Sequence, residues 1–125
     1  MEQPWRTFER FARERMSAHY DSTLVERKVE GFPKLFDMVS DDGRIVGDAK
    51  YLTLVGRERL PPAKFMEITG HVWMLELVPA DHRFLVFGNQ KRVAEWWLEK
   101  YGTFVRSVCF YFLEGDGKLD LLRKT

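Results

Sequence analysis

Between residues 4 and 20, Trp5, Phe8, Phe11, Ala12 and Met16 recur at helical spacing with Arg and Glu between them. That period predicts an amphipathic helix, and Pro4 suits its first turn. The pattern then changes to short runs. Residues 23–29, 34–40 and 44–54 read as strands, the last two joined at Asp42-Gly43. A polar loop with two prolines follows, and residues 62–78 predict a second helix on Ala63, Phe65, Met66, Ile68 and Val72, weakened in its middle by Gly70. Residues 83–87 form an uninterrupted apolar run of the kind buried inside a sheet. Asn89 is placed as the N-cap of a helix over 90–101 that Gly102 closes, and residues 104–113 and 118–123 flank Gly115-Asp116-Gly117 as a second hairpin. The order is α-β-β-β-α-β, then a helix and a C-terminal hairpin. This predicts one α/β domain over residues 1–125, a mixed β-sheet flanked by helices.

Composition narrows the class without naming a function. With 20 Lys and Arg against 19 Asp and Glu, the formal charge is +1, so any basic binding surface must be local. The lone cysteine, Cys109, excludes an internal disulfide and suits a reducing compartment. No apolar run approaches the roughly 20 residues a membrane helix needs, and residues 1–6 carry no signal-peptide pattern. The expectation is a cytoplasmic protein without a membrane partner.

The first hairpin carries the chemistry. Asp-Gly between strand-like runs favours a two-residue type I′ turn, which makes cross-strand pairs sum to 85. Asp37 then lies opposite Asp48 on the same face, where like charges are unfavourable unless a cation separates them. Strand alternation returns Lys50 to that face, with the small Gly47 and Ala49 on the other. Two carboxylates suit Mg²⁺ or Mn²⁺, which prefer hard oxygen ligands and substrate phosphate. On the first helix Glu9 falls about 40° from Trp5 and about 20° from Met16 at 100° per residue, so it sits on the margin of the buried stripe. It is the acid expected to join the site, ahead of Glu26 and Glu30.

Asp37 in Leu35-Phe36-Asp37-Met38-Val39, followed by Val46-Gly47-Asp48-Ala49-Lys50, resembles the PD-(D/E)xK, or restriction-endonuclease-like, nuclease superfamily, and Phe8-Glu9 resembles the helix glutamate of its junction-resolvase-like members. Pro33 stands four residues before Asp37 instead of beside it, and Asp48 replaces the commoner glutamate. The resemblance implies an α-β-β-β-α-β core and Mg²⁺- or Mn²⁺-dependent phosphodiester hydrolysis. Asp37 and Asp48 would hold the metal, Lys50 and Glu9 would complete the catalytic set, and DNA would come before RNA as substrate. Cutting both strands takes two sites, so a homodimer or partner subunit is expected. The alternative is a nuclease-like domain that binds nucleic acid, or acts as a scaffold, without cutting.

Secondary contacts are expected from Gln90 and Lys91, at a helix start suited to phosphate, and from Arg57 and Arg59 in the basic loop after the site strand. His19, His71 and His82 make no HxH or HxxxH ligand pair and read as surface or core residues. Trp96-Trp97 reads as a core face or a dimer contact.

Overall fold

The computed structural model of the chain describes residues 1–54 and 62–124. Its elements are α1 (Pro4–Tyr20), β1 (Leu24–Lys28), β2 (Leu35–Ser40), β3 (Ile45–Tyr51), α2 (Pro62–Leu77), β4 (His82–Gly88), α3 (Lys91–Tyr101), a 3₁₀ turn (Gly102–Phe104), β5 (Cys109–Leu113) and β6 (Leu119–Arg123). The strands form one mixed sheet in sequence order, parallel between β3, β4 and β5 and antiparallel elsewhere.

Among the described residues, three α-helices cover this sheet. Crossovers between neighbouring parallel strands take one hand, and both β3-α2-β4 and β4-α3-β5 step the same way along the sheet. Their helices accordingly share a face, packing Phe65, Ile68, Val72, Val93 and Trp97 on Phe36, Leu85, Phe87 and Phe110. The other face belongs to α1, whose Phe8, Ala12 and Met16 pack on Met38, Ala49, Phe84 and Val86. Residues Phe84 to Phe87 divide between the two cores, which is why that stretch lacks polar positions. Gly47 makes room on the α1 face, since a Cβ there would run into the Phe84 ring.

Several local expectations change. Trp5 leaves the buried stripe and is 43% exposed, and Met66 points to solvent. Asn89 is not the N-cap: it takes φ +76° and its amide donates to the Leu52 carbonyl, while Gln90 occupies the cap without a side-chain hydrogen bond. The strand expected from residue 104 begins only at Cys109. Ahead of it, Glu76 of α2 accepts the backbone N–H groups of Arg106 and Ser107, holding that stretch as a loop. Of the tryptophan pair, Trp97 is buried and donates to Phe65 O, whereas Trp96 lies half-buried beside Arg92.

The first turn also differs from the expected type. The connection runs over Asp41–Arg44, and only Gly43 takes a positive φ (+73°), so it is not a two-residue type I′ turn. Asp42 Oδ1 accepts from Arg44 N and from Ser40 Oγ, closing the loop with side-chain hydrogen bonds. The register nonetheless survives: Met38 pairs with Gly47 and Val39 with Val46. A four-residue loop centred on the same bond keeps the same sum.

Candidate functional site

The ladder between β2 and β3 stops at Met38–Gly47, although β1 follows β2 to Leu35 and β4 follows β3 to Tyr51. The sheet therefore opens between its second and third strands, where Asp37 and Asp48 lie. Backbone groups released from a ladder need other partners, and the site residues supply them. Asp48 Oδ1 accepts from Asp37 N at 3.0 Å, Asp37 Oδ2 accepts from Ala49 N at 2.8 Å, and Arg13 of α1 donates to Asp37 O at 3.2 Å.

A β-bulge re-aims Asp37. Val25 pairs with Val39 but Arg27 pairs with Phe36, so Glu26 alone faces both Asp37 and Met38. The extra residue breaks the alternation, which is why Phe36 packs under α2 and α3 while Met38 packs under α1. Bulges characteristically redirect a side chain beside a site. The expectation that Asp37 and Asp48 share a face is thereby corrected. Carboxylate oxygens of Asp37, Glu9 and Glu26 lie within 4.8 Å of one another, on the α1 side. Asp48, fully buried, turns to α2: its Oδ2 accepts from His71 Nδ1 at 3.0 Å and pairs with Lys34 Nζ at 3.2 Å.

The two aspartates are thus held in opposite electrostatic conditions. Burial first, and the Asp48 charge second, raise the Asp37 pKa to about 7. Glu9 is also raised, by burial and then by Glu26. Burial pushes Asp48 up as well, but the His71 hydrogen bond and the Lys34 charge outweigh it and hold Asp48 below the usual range. Opposite charge and hydrogen bonds to the anion favour ionisation; burial and like charge oppose it.

Lys50 lies on the α2 side with Asp48 and pairs with Glu67 at 3.3 Å. Glu9, Asp37, Ala49, Lys50, His71 and Lys64 line one cavity of about 280 Å³, with Trp5 and Tyr51 among its walls. A larger cavity of about 420 Å³ shares Tyr51 but is lined mainly by Phe8, Phe11, Phe112 and Leu113, with Glu114 its one acid among the described residues. The chemistry is concentrated in the smaller one.

Glu9, Asp37 and Lys50, all expected at the site, line the same cavity, and three further residues bear on it. Glu26, expected behind Glu9, is brought in by the bulge opposite it. Lys34, the first residue of the expected strand over 34–40, lies just ahead of β2 and pairs with Asp48, a role the sequence does not signal. His71 has no ligand-pair spacing, yet Lys64, Glu67 and His71 stand at i, i+3 and i+7 in a helix whose other polar side chains are Thr69 and Glu76, a polar stripe that marks a face turned to something polar. Gln90 and Lys91 do not line the acidic cavity, and Lys91 pairs with Asp120 of β6 at 3.2 Å. Arg57 and Arg59 lie outside the described residues. No helix among the described residues is long and apolar enough to cross a membrane. No family model matches the chain, and no curated protein matches it either.

Proposed function

We propose that this chain is a divalent-metal-dependent nuclease of the PD-(D/E)xK, restriction-endonuclease-like kind, hydrolysing phosphodiester bonds in DNA before RNA. The observation that carries the reading is the opened sheet. Asp37, Ala49 and Lys50 stand at the parting of β2 and β3 beneath Glu9 of α1, around one cavity. The element order α-β-β-β-α-β agrees with it.

The donor set fits Mg²⁺ or Mn²⁺. Glu9, Glu26 and Asp37 offer only hard oxygens, and burial with neighbouring acids raises the pKa of Glu9 and of Asp37, marking a place short of positive charge. When bound, such an ion lowers the pKa of water and stabilises charge developing on a phosphoryl oxygen. The expected Asp37–Asp48 ligand pair becomes Asp37 with Glu9 and Glu26, because both Asp48 oxygens already have partners. Lys50, paired with Glu67, supplies positive charge to the phosphate in the same cavity.

The test is cleavage of labelled linear, circular and branched DNA, with RNA alongside, by wild type, Asp37→Asn and Lys50→Ala in Mg²⁺, Mn²⁺ and EDTA. Metal-dependent cutting by wild type that both variants lose by at least about 100-fold is the expected result. Cutting that persists in the two variants would sink the proposal.

A second reading, a nuclease-like subunit that binds nucleic acid or serves as a scaffold without cutting, draws on the closed partnering of Asp48 with Lys34 and His71. Calorimetric titration with Mn²⁺ separates the two. Binding that Asp37→Asn abolishes favours the enzyme; no binding favours the scaffold.

A further inference from the structure

The geometry points to His71 as the proton acceptor of the reaction, a role that rests on the nuclease reading above. Asp48 is fully buried, with Asp37 N donating to its Oδ1 and Lys34 Nζ against its Oδ2, so it accepts from His71 and the ring proton in that hydrogen bond sits on Nδ1. This leaves Nε2, across the ring, with its lone pair free. No hydrogen-bond partner for Nε2 exists among the described residues, the side chain is 23% exposed, and His71 lines the cavity that holds Asp37, Glu9 and Lys50 as well as a shallower one with Lys34, Glu67 and Gly70. A carboxylate that orients an imidazole by one nitrogen, with the other presented to a cavity, is the arrangement that general-base catalysis requires. Lys50 is less suited to the task because its ammonium is already engaged by Glu67.

In the step assigned to it, His71 Nε2 takes one proton from a water in the cavity. The water oxygen donates its electron pair to phosphorus, forming the new P–O bond. The ester P–O bond breaks, its pair leaving on the sugar oxygen, which takes a proton from solvent. The imidazolium then returns its own proton to solvent, and the net reaction is hydrolysis. Asp48 touches none of these atoms; it is a positioning residue that sets the tautomer and ring angle.

The experiment uses the full chain and a DNA substrate that wild type cleaves. His71→Ala is expected to lower kcat by about 100-fold or more with KM little changed, and free imidazole to restore part of the rate, which a merely structural histidine would not allow. His71→Asn keeps a donor for Asp48 while removing Nε2; it is expected to hold the wild-type Tm and still lose kcat, guarding against an unfolded alanine variant. Independently of activity, ¹⁵N NMR of the His71 ring at pH 8 is expected to find the proton on Nδ1, and to find that preference lost in Asp48→Asn. Unchanged kcat in folded His71→Ala and His71→Asn, or a proton on Nε2 in wild type, overturns the assignment of His71 alone. Failure of wild type to cut any substrate overturns the nuclease reading and this inference with it.

Discussion

Asp42-Gly43-Arg44 and Asp116-Gly117-Lys118 turn two hairpins by the same means. In each, the glycine takes a positive φ and donates to the carbonyl three residues back, while the aspartate accepts from the residue after the glycine. The hairpins then diverge. The β5–β6 ladder runs through four pairs from Leu113–Leu119 to Phe110–Arg123, and its acid, Asp120, meets Lys91 and Lys118 at the surface. The β2–β3 ladder gives way after two pairs, where Asp37 and Asp48 substitute carboxylates for backbone carbonyls. Turn chemistry sets where two strands begin to pair. How far they stay paired depends on what the rest of the fold asks of their far ends.

The sharpest way to break that contrast is Asp48→Ala. It strands the half-buried Asp37 N–H and removes the shared partner of Lys34 and His71, at a cost of about 3–5 kcal/mol by denaturant unfolding. Asp120→Ala, the counterpart in the other hairpin, is expected to leave the midpoint nearly unchanged.

Asp37→Asn is expected to act in the opposite sense. The folded pKa of Asp37 is about 7, above the 3.8 of the free side chain. The unfolded chain therefore releases this proton first, and wild type loses stability as pH rises from about 4 to 7. The amide keeps an acceptor for Ala49 N without the charge. At pH 8 the variant should be more stable by roughly 2–4 kcal/mol, and the gain should vanish near pH 4. Thermal unfolding against pH checks the sign, and saturating Mg²⁺ should stabilise wild type but not the variant. A variant that is less stable at pH 8 would mean that Asp37 is not held against its charge.

Gly43→Ala and Gly117→Ala sharpen the likeness of the two turns. Neither new methyl meets a neighbour closer than 3.9 Å, so only the left-handed backbone is penalised, by roughly 1–2 kcal/mol in each hairpin. The smallest effects belong to the turn acids. Asp42→Ala should lower the Tm slightly more than Asp116→Ala, because Asp42 also accepts the Ser40 hydroxyl.

Both hairpins were legible in the sequence because their turns are local. Asp-Gly names the reversal whatever surrounds it, and the register that follows holds even though the loop is longer than expected. The bulge was not legible. It is a relation between β1 and β2, and nothing around Glu26 or Asp37 announces that one residue will face two. The partnership of His71 with Asp48 was hidden for the same reason, since it spans 23 residues and requires α2 to return over β3.

The chain by itself determined what short-range sterics and periodicity can decide. These are three helices, the turns, the apolar central strand, and the presence of Glu9, Asp37 and Lys50 on elements that must meet. The tertiary structure alone decided which way each carboxylate faces and which charge it meets. Side-chain direction in a sheet follows alternation only while the ladder is regular, and a carboxyl's protonation depends on burial and neighbours brought from distant elements. Asp37 and Asp48 are the same residue in one hairpin, yet one is held against its charge and the other in favour of it.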